Sequence, residues 1–145
     1  VLHHTGNMWA AIENVFQLAH NDSKVYLALY NDDRQNTPTS PQWEQIKRAY
    51  IHGGRIRREV MLFTYVVYWT ILRLYCGENP VRKAREYDAR GMTFWTNMRD
   101  WIGGYPYEYA SVEEVRAFIE NKTEFELSRV NPNGNTGCNE FLFTQ

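Results

Sequence analysis

Apolar residues recur at helical spacing over residues 7–20 (NMWAAIENVFQLAH), with Met8, Ala11, Ile12, Val15 and Phe16 on one side. Thr5 or Asn7 is suited to cap the first amides of this helix. Asn21-Asp22-Ser23 reads as a turn, and residues 24–30 (KVYLALY) read as a short buried strand. After a polar loop to Ser40, Ser40-Pro41 opens a second helix with proline at its first position, running through Trp43, Ile46, Ala49 and Tyr50 to Gly53-Gly54. Over 56–76 the pattern loses its polar side: Val60, Met61, Leu62, Phe63, Val66, Val67, Trp69, Ile71 and Leu72 surround the helix, which Gly77 ends. A helix of this kind is buried, paired with a partner or laid against a membrane.

Pro80 opens a further helix with Arg82, Lys83, Arg85 and Glu86 on a solvated face. Residues 90–110 read as an irregular aromatic segment around a short helical turn. Ser111-Val112-Glu113-Glu114 is a capping box, and the helix behind it places Val115, Phe118 and Ile119 inward. Strands follow at 123–130 and 138–144, joined by a turn at Asn131-Pro132-Asn133-Gly134; Phe125 and Leu127 alternate, with Val130 out of phase. The fold class expected is α+β: a small antiparallel three-stranded sheet packed with several helices.

The chain has 145 residues, which suits a single domain spanning 1–145. Lys and Arg number 16 against 17 Asp and Glu, so no basic excess exists to hold a phosphate backbone and a nucleic-acid partner is not expected. Two cysteines, Cys76 and Cys138, make a disulfide framework improbable and a reduced, cytoplasmic setting the default. No metal-binding motif is present. The uncharged run Val60 to Leu72 is shorter than the roughly 20 residues that span a bilayer.

Two segments resemble a known family. Val1-Leu2-His3-His4-Thr5-Gly6-Asn7-Met8-Trp9, followed by a helix and then Lys24–Tyr30 with Asn31-Asp32, is similar to the stretch that follows the fourth strand of class I S-adenosylmethionine-dependent methyltransferases. Arg90-Gly91-Met92, Asp100-Trp101, Gly103-Gly104-Tyr105-Pro106-Tyr107-Glu108, Glu113-Glu114 and Gly137-Cys138-Asn139-Glu140-Phe141 resemble the C-terminal part of one bacterial subgroup of these enzymes. The resemblance implies that 24–30, 138–144 and 123–130 are neighbours in that order, matching the family's fifth, seventh and sixth strands. The family's cofactor loop, glycine-rich and behind the first strand, has no counterpart here: Gly53-Gly54 and Gly103-Gly104 do not follow strands. The chain therefore reads as the second half of that fold. No cofactor is expected for it alone, and S-adenosylmethionine is expected if a partner chain or an N-terminal region completes it.

An edge is left at 24–30, where the fourth strand would pair, and such edges recruit another chain. A homo-oligomer formed through that edge, or through helix 56–76, is the expected partner arrangement. Arg55, Arg57 and Arg58 before the apolar helix suit a membrane surface, but with no clear polar face on the helix, core or oligomer packing is preferred. The primary expectation is a non-catalytic, oligomeric half-domain that binds a small molecule at 90–108; the alternative is part of a methyltransferase.

His3 and His4 fall at a strand-to-helix junction that faces cofactor and acceptor in the family fold. One could be a general base, or the pair could be a frayed terminal stub. Arg90, Trp95, Asp100, Trp101, Tyr105, Tyr107 and Glu108 make the densest aromatic and charged cluster, with Glu140 able to answer Arg90 from the last strand. Aromatic walls with a few polar groups suit a small-molecule pocket. The other reading is a loop packed on the core, with Arg90 or Arg99 pairing with Asp100.

Overall fold

The computed structural model describes residues 1–20, 22–88 and 91–145, with the Asp88 side chain also outside the description. The expected turn at 21–23 falls partly on Asn21, and Arg90 also lies outside the described residues. The chain divides into two compact units, Val1–Glu44 with Pro106–Gln145, and Gln45–Tyr105.

The first unit is built on a sheet. After a 3₁₀ turn over Leu2–His4 come α1 (Met8–Gln17), β1 (Lys24–Tyr30) and the start of α2 (Ser40–Ile51). The chain returns in α6 (Val112–Lys122), β2 (Glu126–Asn131) and β3 (Cys138–Thr144). The strand order is β1-β3-β2, with β3 antiparallel to both neighbours. This is the small antiparallel sheet of an α+β fold that the residue pattern predicts.

Alternation in β1 sends Val25, Leu27 and Leu29 to one face, where β3 adds Phe141 and Phe143. Met8, Ile12 and Phe16 of α1 and Val115 and Ile119 of α6 close over that face. The phase error at Val130 has a physical cause. Between Leu127 and Arg129 the register shifts by one residue, so Leu127 opposes Phe143 and Val130 opposes Phe141. The extra residue lets two positions three apart both serve the core. Strand β2 accordingly starts at Glu126, after the buried Phe125, and not at 123.

Two helix starts are locked by side chains. The Asn7 amide oxygen accepts from the Ala10 amide at α1. At α6 the capping box forms in full, with the Ser111 hydroxyl accepting from the Glu114 amide and the Glu114 carboxylate accepting from the Ser111 amide at 2.8 Å.

The second unit is helical: the end of α2, α3 (Arg55–Tyr75), α4 (Pro80–Asp88) and α5 (Phe94–Gly103). Its core gathers Tyr50, Leu62, Trp69, Met98 and Ile102. Phe94, Met98 and Ile102 recur every four residues, so the aromatic segment contains a ten-residue helix where only a short turn was expected. Gly77 ends α3 with φ +72°, and the Glu78 amide donates back to the Arg73 carbonyl at 2.9 Å. Among the described residues no single helix is long and apolar enough to cross a membrane.

Candidate functional site at the C-terminal end of β1

Strand β1 delivers Tyr30, Asn31 and Asp33 to one end of the sheet, and the following loop is held rigidly there. The Asp33 carboxylate accepts from the amides of Gln35 and Asn36, both at 3.0 Å, and from the Asn36 side chain at 2.9 Å. Burial raises its pKa, but these three hydrogen bonds outweigh burial and hold the carboxyl below its usual range. The buried Ser40 hydroxyl donates to the Asn31 carbonyl at 2.8 Å and accepts from the Asp33 amide at 2.9 Å.

The Asn31 amide group donates to the carbonyls of Asn133 and Asn135, and its oxygen accepts from buried Asn139 at 3.0 Å. The Asn139 oxygen accepts from the Asn133 amide at 2.8 Å. Three asparagines thus fasten the β2–β3 turn to the end of β1.

Against this end lies the 3₁₀ turn. The His3 side chain is buried, at 6% exposure, with its ring centroid 4.1 Å from that of Tyr30 and 4.6 Å from that of His4. Its Nδ1 has no hydrogen-bond partner among the described residues, while the ring bonds the backbone of Ala28. Burial first, then the Val1 ammonium and His4, pull its pKa down to about 4, against the Ala28 bond, which raises it. The imidazole is therefore neutral at physiological pH.

His4 Nδ1 donates to the Pro106 carbonyl at 2.6 Å. The Tyr107 ring packs 4.8 Å from Tyr30 and 5.7 Å from Tyr109, and burial pushes both the Tyr30 and the Tyr107 hydroxyls above the ordinary phenol value. The neutral His3 ring stacks on Tyr30, which in turn packs on Tyr107, and its Nδ1 is an acceptor shielded from solvent.

Of the residues singled out from the sequence, His3, His4 and Tyr107 come together here. Glu108 serves the backbone: its carboxylate accepts from the amides of Gly6 and Met8, each at 2.9 Å, and so fixes the entry to α1. Glu140 accepts from the Asn131 side chain at 2.9 Å and from the Tyr26 hydroxyl.

The remaining residues belong to the helical unit. Trp95 and Asp100 are exposed on α5, and Arg99 pairs with Glu59 at 3.6 Å. Trp101 places its ring 4.1 Å from the buried Lys47 ammonium and its carbonyl accepts from that ammonium. Tyr105 meets His52 edge to face at 6.0 Å. The helical period of α5 distributes these side chains around its axis and does not gather them at one point. Tyr30 was missed because it ends a strand pattern whose apolar members point the other way; its place at a strand's C-terminal end, ahead of a polar loop, was the available signal.

Strand β1 runs into Asn31-Asp32-Asp33, and β2 into Pro132-Asn133-Gly134-Asn135-Thr136-Gly137. Among the described residues no group of three or more His, Cys, Asp or Glu side chains is placed to hold a metal ion. No protein-family model, curated protein or solved structure matches the chain.

Proposed function

We propose that the chain forms the acceptor-side half of an S-adenosylmethionine-dependent methyltransferase, with the cofactor cradle supplied by polypeptide outside these 145 residues. The observation that carries this reading is the buried His3 imidazole, with Nδ1 unpartnered among the described residues, at the C-terminal end of an edge strand. The strand order with an antiparallel middle strand agrees with the family resemblance of the two sequence segments. In this reading the 3₁₀ turn shifts when the methyl acceptor enters, Nδ1, which is buried in this structure, receives the acceptor's O–H or N–H, and Tyr30 and Tyr107 wall its flank.

Strand β1 supports the same reading. Ala110 hydrogen-bonds the Tyr30 carbonyl at 3.0 Å and accepts from the Asp32 amide at 3.3 Å, covering only the C-terminal end of the outer edge. The sheet ends at β1 among the described residues. The cofactor-binding half would add its strand along Lys24–Leu27.

A second reading keeps the chain non-catalytic and lets a second copy cover that edge, which the unpaired outer side of β1 also favours. Hydrogen exchange at the outward amides of Tyr26 and Ala28 separates the two. Protection only with the cofactor-binding half joined or added supports the methyltransferase reading. Protection that grows with the concentration of the chain alone supports the second copy and overturns the first.

A further inference from the structure

The helical unit leaves one side of α3 uncovered. Leu62 and Trp69 are buried, and Met61, Tyr65 and Val66 pack beside them on the inner side. Opposite them Ile56, Val60, Phe63, Val67, Ile71 and Leu74 follow helical spacing, with Ile56 83% exposed, Phe63 69% and Ile71 61%. Weighted by exposure, these six side chains present roughly 700 Å² of apolar surface along about 27 Å of helix, more than the largest patch of an ordinary monomer. The stripe holds no hydrogen-bonding side chain among the six. Arg57, Tyr68 and Tyr75 share one shoulder of it, all exposed.

Charge is divided sharply between the two units. Residues 45–105 carry eleven Lys and Arg against five Asp and Glu, whereas the rest of the chain carries five against twelve. Arg55 and Arg57 stand in the first turn of α3, where the helix dipole disfavours cations, and neither has an ion pair among the described residues. Their neighbour Arg58 instead donates to the carbonyls of Tyr50 and Ile51 at the end of α2. Arg57 is thus an exposed cation set against the dipole on the shoulder of the apolar stripe, a position suited to an anionic surface outside the protein, while Arg55 stands at the same end of the helix on the period of Leu62 and Val66.

We infer that the 45–105 unit docks on an anionic lipid bilayer surface, with α3 lying in the plane of the interface and its apolar stripe inserted between headgroups. Basic flanks, an apolar face and shoulder aromatics are the features of interfacial helices. A second copy is the weaker occupant. Self-pairing would bring together two units that each carry a formal excess of positive charge. The sequence pattern alone disfavoured a membrane because α3 has no polar face; the fold resolves this by using one apolar side for the core and leaving the other free.

Vesicle flotation of the purified chain tests the inference, with phosphatidylcholine vesicles and vesicles containing about a third phosphatidylserine, at ionic strengths of about 0.1 and 1 M. Flotation with the anionic vesicles, weakened by salt, is expected. The double variant Phe63→Glu/Val67→Glu and the double variant Arg55→Gln/Arg57→Gln should each lower partitioning by roughly tenfold or more, with helical circular dichroism retained. The arginine pair is exposed and keeps the test open if the glutamate variant misfolds. Absence of the wild-type chain from anionic vesicles overturns the inference, as does full binding by either folded variant. A sedimenting dimer that Phe63→Glu converts to monomer assigns the face to a second copy and overturns it equally.

Discussion

The His3 imidazole and the Tyr30 ring stack at 4.1 Å between centroids, joining the 3₁₀ turn to the last residue of β1. This contact helps to bury His3, and burial is the largest cause of its lowered pKa. It also ties the 3₁₀ turn to the sheet.

His3 makes stability depend on pH in a defined window. Its pKa falls from 6.5 unfolded to about 4 folded, so between these values the unfolded chain binds more protons. The neutral-ring contribution is complete above pH 6.5 and is lost as pH falls toward 4. Urea unfolding of the wild type should lose about 3 kcal/mol across this range from His3, and His3→Gln should flatten the profile there.

Lys47 gives the opposite end of the scale. Its ammonium is buried against Trp101, and burial pulls its pKa from 10.5 down to about 7 despite the favourable ring face and carbonyl. The unfolded chain binds the extra proton between pH 7 and 10.5, so the helical unit should gain stability as pH rises through that range. Thermal melts followed at the tryptophans should show the gain, and Lys47→Met should abolish it.

Glu108 accepts two backbone N–H groups that would otherwise be orphaned at the start of α1. Glu108→Ala should destabilise the sheet unit by about 1–3 kcal/mol in chemical denaturation, while Glu108→Gln, which keeps one acceptor oxygen, should cost less.

Asn139 is 1% exposed and bridges Asn31 to Asn133. Asn139→Leu leaves the Asn133 amide and the Asn31 oxygen without their partner. A loss of about 2–3 kcal/mol and faster hydrogen exchange in the 131–137 turn are expected, detectable by mass spectrometry.

Much of this fold was legible in the residue pattern because its signals are local. Ser111 and Glu114 announce α6, Gly77 ends α3, and KVYLALY alternates as β1 does. The bulge at Ser128 was visible only as the misplaced Val130, since nothing local reveals which residue a partner strand will skip. The site was less legible. His3 and His4 could be named, but their burial depends on Tyr30 and Pro106, distant in sequence and brought close by tertiary structure. Trp95, Asp100 and Trp101 look like a cluster in sequence, and the 100° step of α5 separates them.

Equilibrium dialysis against methyl-tritiated S-adenosylmethionine tests the methyltransferase reading most directly. The chain of 145 residues alone should retain none above background. The native polypeptide or complex that carries the cofactor-binding half should retain about one equivalent at micromolar concentration. Retention by the isolated chain, or none by the native form, would contradict the division of labour proposed for the His3 site.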